Sequence, residues 1–239
     1  MCIKLPSIVI NCGEPAGIGL DLCVFLAFKK IPAKITIMAN MKALDARAKM
    51  HDKKINFTEN LSSHKGNGNI YVIDVPYQSD VNPGKPNQKN SLAQLKMIDY
   101  GVRNCLNKNY DAIITLPISK EILTTAKVKF TGHTEYISNL CKTSKKEVML
   151  LANKELKVAL VTTHVAVSKV PQLITKAKLT SVIKTLHLDL QKRFKIKSPK
   201  IIITGLNPHA GENGNFGNEE IKIITPVIEN LKSQGFDLI

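Results

Sequence analysis

Tryptophan is absent from the chain, aromatic residues make up 5% of it, and arginine occurs only at Arg47, Arg103 and Arg193. Nucleic-acid modules lean on stacked aromatics and guanidinium forks, so this scarcity argues against one despite a formal net charge of +15. The positive excess is lysine spread along the chain, and it reads as a solvated basic surface. No apolar run approaches the roughly 20 residues needed to cross a bilayer. The N-terminal apolar stretch is short and runs straight into a glycine loop, which argues against a signal peptide. Five cysteines, Cys2, Cys12, Cys23, Cys105 and Cys141, form no CxxC pair. Reduced, mostly buried thiols fit that spacing better than disulfides or a zinc knuckle, so a cytoplasmic protein is expected, with neither nucleic acid nor membrane as partner. Internal repeats are missing, which excludes solenoids.

What is present is a globular composition of 239 residues, 44% hydrophobic and 22% charged, enough for one large domain or two lobes. Apolar runs at 7–10, 35–39, 70–75 and 112–115 alternate with amphipathic stretches at 20–28, 41–50 and 91–107, the last N-capped by Asn90. Residues 56–69 read as polar loop. This alternation predicts an α/β fold with a mainly parallel sheet, whose ligands gather at the carboxyl ends of strands. The passage into a second lobe is placed near residue 125, giving lobes 1–125 and 126–239. In the second, 147–152 and 157–161 read as a hairpin turning at Asn153–Lys154. Residues 168–171 break the chain, 179–194 form a helix, and 200–204 form a buried strand. Pro226 splits or kinks the last helix, 219–234.

Two glycine loops stand out. Gly13 to Gly19, GEPAGIG, follows the first strand, but its G-x-x-x-G-x-G spacing departs from the dinucleotide fingerprint. Thr204 to Glu220 joins a strand to a helix and carries His209 among four glycines. Such a loop is costly to order, and its histidine either serves a site or merely caps a long turn. His164 and His209 both follow strands, so a common metal site is one reading. Two imidazoles can begin such a site but cannot complete it. His133 is a candidate third ligand, although its place before a helix suits an anionic substrate equally well. His51, His64 and His187 fit surface or core roles.

Five segments together resemble a known family. GEPAGIG at 13–19, PISKE at 117–121, GHTE at 132–135, TTH at 162–164 and GLNPHAGE with a following G-x-E-E at 205–220 are similar, in order, to the 4-hydroxythreonine-4-phosphate dehydrogenase family of pyridoxal phosphate biosynthesis. The resemblance implies a two-lobed fold like isocitrate and isopropylmalate dehydrogenases, acting as a homodimer. It implies NAD-dependent oxidation of 4-phosphohydroxy-L-threonine, a small phosphorylated substrate, to a β-keto acid that loses carbon dioxide. A divalent metal such as zinc, magnesium or cobalt would polarise the substrate hydroxyl and steady the enolate. By the same resemblance His164 and His209 are metal ligands, and His133 and Thr134 bind substrate. Lys120, in PISKE, is a catalytic or phosphate-binding candidate and equally a surface lysine. Leu116 departs from a small residue in many relatives, and Cys12 from a common proline. The resemblance also implies a further C-terminal segment with an H-D-Q-G motif and a third metal histidine, so a C-terminally truncated member is expected. The alternative is an inactive remnant that retains ligand or partner binding.

Overall fold

The structure, a computed structural model, describes residues 4–125, 130, 132–143 and 147–239. Cys2, Thr131 and residues 126–129, part of the expected passage between lobes, lie outside the described residues. By contacts the chain divides into two compact units, Met1–Lys142 and Thr143–Ile239.

The first unit is built on a five-stranded, wholly parallel sheet. Its strands are β1 (Ser7–Asn11), β2 (Lys34–Ala39), β3 (Asn56–Thr58), β4 (Asn69–Asp74) and β5 (Ala112–Thr115), in the order β3-β4-β2-β1-β5. The interior strand β1, between β2 and β5, carries Val9 and Ile10 into the core, and its run of β-branched residues suits a strand covered on both faces. Helices α1 (Gly19–Leu26), α2 (Met41–Met50) and α3 (Ser91–Leu106) follow the strands as crossovers. Helix α1 buries Leu20, Cys23 and Val24 at three- and four-residue steps, and α2 buries Leu44 and Ala48. Each fully buried leucine or isoleucine contributes about 1.5–3 kcal/mol of transfer energy.

Helices α4 (Lys120–Thr125) and α5 (His133–Leu140) complete this unit. A separate cluster of Leu95, Ile98, Val102, Leu123 and Phe130, with Tyr136 and Ile137 beside it, packs α3, α4 and α5 together. The contact-defined division therefore falls after α5, later than the passage expected near residue 125, because the apolar face of α5 closes onto α3.

The second unit has a smaller core around Leu179, Ile183, Ile224, Val227 and Leu231. Strands β6 (Met149–Ala152) and β7 (Lys157–Leu160) form the expected hairpin. Its turn is held by Asn153, whose Oδ1 accepts from the amides of Glu155 and Leu156 at 2.8 and 2.6 Å. After α6 (Val170–Leu173) comes α7 (Lys176–Lys192), capped by the Thr175 hydroxyl accepting from Lys178 N–H. Strand β8 (Lys200–Ile201) pairs in parallel with β9 (Asp237–Leu238). Between them a π-helical turn, Glu220–Ile224, leads into α8 (Thr225–Ser233), with Pro226 in its first turn, where a missing N–H costs nothing.

Four local expectations change. Residues 56–58 form an edge strand despite their polarity, because β4 offers them a parallel partner. The chain at 168–171 does not break but winds through a 3-10 turn into α6, with Pro171 near the helix start. The strand at 200–204 shortens to two residues, and Ile202 is 69% exposed, so the run is not a buried strand. Asn90 precedes α3, but its side chain makes no capping bond. Its Oδ1 accepts from Gln78 and Ser79 amides at 2.9 and 3.1 Å, and its Nδ2–H donates to Ser79 oxygen at 3.0 Å. Among the described residues, no helix is long and apolar enough to cross a membrane.

Asn90 is 2% exposed, and removing its amide takes the partner from the part-buried backbone groups of Gln78 and Ser79. Asn90→Ala is expected to lower stability by about 1–3 kcal/mol. Hydrogen exchange separates a brace from a cap: protection falls at Gln78 and Ser79, while the first-turn amides of α3 keep theirs.

Candidate functional site

In the first unit two of the family-like segments meet at the carboxyl ends of adjacent strands. Asn11, the last residue of β1, pairs with Thr115, the last of β5. The loops that follow touch backbone to backbone. Gly13 has φ +72°, and a Cβ there would stand 2.1 Å from the Pro117 oxygen, so only glycine permits the approach. Glu14 N–H donates to that same oxygen at 2.8 Å. The Asn11 side chain turns the corner by accepting from Gly13 N–H at 2.7 Å.

The GEPAGIG loop is clamped from both sides. Glu14 is buried; its carboxylate accepts from Ala16 N–H at 3.1 Å and from the Gln94 amide on α3 at 2.6 Å. Arg47 of α2, also buried, donates to Gly17 oxygen at 3.0 Å and Pro15 oxygen at 3.3 Å, and pairs with Asp21. Asp21 accepts in turn from His51 Nε2–H at 2.7 Å. Behind the loop, Cys12 Sγ lies 3.3 Å from the Tyr77 hydroxyl, and burial pushes the thiol up to about 12. His64 donates to Leu26 oxygen and His187 packs on Phe236, so these two and His51 take structural roles.

Lys120 and His133 are brought together. Lys120 opens α4, and its Nζ lies 3.7 Å from the point where a Cβ on Gly132 would stand. Glu135 Oε2 is 2.8 Å from the same point. His133 and Thr134 open α5, whose amide N–H groups and dipole favour an anion. The His133 ring meets Phe130 edge-on at 5.7 Å, and its Nε2 is buried with no hydrogen-bond partner among the described residues. Burial, and then the Lys120 ammonium, hold His133 below the usual histidine range, which keeps the imidazole neutral. Tyr136, one turn on, donates to Asp99 Oδ1 on α3 at 2.8 Å and so fixes α5. Burial and that carboxylate push its phenol up to about 12.

His164 and His209 both lie in the second unit, whereas Lys120, His133 and Thr134 lie in the first. His164 follows β7, exposed, with a left-handed φ of 54°. His209 sits in a loop anchored by Asn207, whose Oδ1 accepts from His209 N–H at 2.9 Å and whose Nδ2–H donates to Phe216 oxygen at 3.0 Å. Glu220 accepts from Leu206 N–H at 2.8 Å. The His209 ring stacks on Phe216 at 5.0 Å, and its Nδ1 lies 2.6 Å from Glu212 Oε1. With Nδ1 engaged by a carboxylate, Nε2 is the atom left to bind, the arrangement a metal-ligating imidazole requires. The donor chemistry of His209 therefore fits a divalent ion. Among the described residues, however, no three His, Cys, Asp or Glu side chains gather into a metal cluster, and His133, weighed as a third ligand, belongs to the other unit.

Gln94, Arg47, Asp99 and Glu212 escape a reading of the sequence. Only Glu212 carries a local signal, standing three residues after His209 in a loop.

The fold matches that of solved dehydrogenases. The crystal structure of 4-hydroxythreonine-4-phosphate dehydrogenase from Klebsiella pneumoniae superposes with a TM-score of 0.84 at 26% identity, covering 98% of this chain and 74% of that one. Residues 31–239 match the family model of the pyridoxal phosphate biosynthetic protein PdxA. The chain belongs to the PdxA family. The 4-hydroxythreonine-4-phosphate dehydrogenase of Methylococcus capsulatus is 40% identical over 238 residues, spanning 98% of this chain and 71% of its own length. That of Neisseria meningitidis serogroup A is 38% identical over 242 residues, spanning 99% and 73%.

The His133 ring has a titration that can be checked. Its NMR midpoint is expected below that of an ordinary histidine. In Lys120→Met it rises but stays below the ordinary value, because burial is the larger cause. A full return in that variant would show that charge, not burial, dominates.

Proposed function

We propose that this chain catalyses the NAD-dependent oxidation of 4-phosphohydroxy-L-threonine, followed by decarboxylation, in pyridoxal phosphate biosynthesis. The observation that carries the reading is family membership over residues 31–239, together with relatives of that name at 38–40% identity across nearly the whole chain. In this reading the chain has two α/β lobes, 1–125 and 126–239, of the kind found in isocitrate and isopropylmalate dehydrogenases, and a homodimer in the cytoplasm is the working form.

His133 and Thr134 receive the substrate. A neutral, half-buried imidazole suits hydrogen bonding to a hydroxyl or phosphate oxygen, and the first turn of α5 favours negative charge. Lys120 stands beside them as a phosphate partner in its ammonium form or, once it has given up its own proton, as the neutral amine that takes the hydroxyl proton when the carbon loses hydride. His164 and His209 are this chain's share of a divalent metal site, with zinc, magnesium and cobalt as the candidates. When bound, the ion supplies Lewis-acid polarisation of the substrate oxygen and NAD accepts the hydride. The stiff 13–19 loop, clamped by Arg47 and Gln94, lines the carboxyl ends of the first-unit strands, where open α/β sheets bind ligands.

Purified protein supplied with 4-phosphohydroxy-L-threonine, NAD and a divalent metal is expected to form NADH. Lys120→Ala lowers kcat by roughly 10²–10⁴-fold if Lys120 moves the proton. His209→Ala is expected to cost more than the roughly 10–100-fold typical of an outer-shell partner. Turnover by the unmodified chain no higher than that of the His209→Ala control would overturn the reading and leave a protein that binds without turning over.

A further inference from the structure

Glu212 and Phe216 hold the His209 ring in a way that packing alone does not explain. The His209 and Glu212 side chains are 58% and 49% exposed, so their contact adds at most about 1 kcal/mol to folding. Phe216 is itself 55% exposed, an aromatic left at the surface with its face on an imidazole. The backbone nonetheless goes to some length to bring them together. Ala210, Gly211, Glu212, Asn213 and Gly214 all have left-handed φ, between 40° and 99°. Left-handed backbone at the three non-glycine positions costs roughly 1–2 kcal/mol each. Glu212 N–H donates to His209 oxygen at 3.0 Å, and Phe216 N–H donates to Gly211 oxygen at 3.0 Å, so the turn folds both side chains back onto the ring.

We propose that Glu212 is the positioning residue for His209, with Phe216 as its stacking wall: together they fix the imidazole as the Nδ1–H tautomer and present Nε2 to the metal. This rests on the reading of His209 as a metal ligand. A carboxylate only accepts, so at 2.6 Å the proton belongs on Nδ1, and the Nε2 lone pair of the neutral ring is left to bind. Stacking at an interplanar angle of 26° removes the remaining freedom, rotation of the ring about its bond to Cβ. The entropy of orienting the ligand is then met by the fold before the ion arrives.

The test compares Glu212→Ala, Glu212→Gln and His209→Ala in the full chain. It uses ring nitrogen shifts of labelled histidine in metal-free protein and calorimetric titration with zinc or cobalt(II) alone. Glu212→Ala is expected to let His209 exchange between tautomers and to weaken metal binding by roughly 10–100-fold, with the melting temperature nearly unchanged. Glu212→Gln, whose Oε1 still accepts from Nδ1–H, restores the tautomer and most of the affinity. A Glu212→Ala protein with wild-type tautomer or wild-type metal affinity overturns the proposal. Wild-type metal affinity in His209→Ala instead overturns the ligand reading on which it stands, so the two failures are distinguishable.

Discussion

A single backbone hydrogen bond, from Glu14 N–H to the Pro117 oxygen, sets the geometry of the first unit's functional edge. It joins the loops leaving β1 and β5 and requires a residue without a side chain at Gly13. Once Glu14 is placed there, its carboxylate reaches Gln94 on α3. The same helix holds Tyr136 of α5 through Asp99, and α5 begins at His133. A chain of ties thus runs from the strand ends to the candidate substrate histidine, and each link is a buried or half-buried polar contact whose loss leaves an unpaired group. The precision of the site comes from these links more than from the bulk of the core.

The two units achieve order differently. In the first, a covered parallel sheet and three crossover helices bury long apolar runs, so loops can be positioned by rigid elements beneath them. In the second, the strands are short, and the His209 loop is organised by its own polar side chains, Asn207, Glu212 and Glu220, each bonded within the loop or at its end. That loop resembles a small self-contained fold in which left-handed backbone is stabilised by side-chain acceptors rather than by a sheet.

Periodicity made most elements of the first unit legible. Helix α2 fell on the expected residues because Leu44 and Ala48 share a face, and β1, β2, β4 and β5 announced themselves as apolar runs. What stayed hidden depended on partners distant in sequence. Asn56–Thr58 looks polar until β4 lies beside it, and Asn90 looks like a cap until Ser79 is folded against it. Ile202 belongs to a run that reads as buried, yet the strand there is too short to cover it. Among the candidate site residues, His133, His164 and His209 were visible as motif residues. Arg47 and Gln94 were not, since a cation and an amide inside ordinary amphipathic helices carry no local sign of what they grip. The family resemblance named residues; their orientation, tautomer and neighbours belong to the fold.

Cys12 stands where the resemblance leads one to expect proline, and the difference is more than a tolerated swap. Its N–H donates to the Met38 oxygen at 3.2 Å, a bond that proline has no hydrogen to make. The ladder between β1 and β2 therefore gains a rung at the edge of the loop. A ring would have stiffened this corner covalently; here a hydrogen bond does so reversibly.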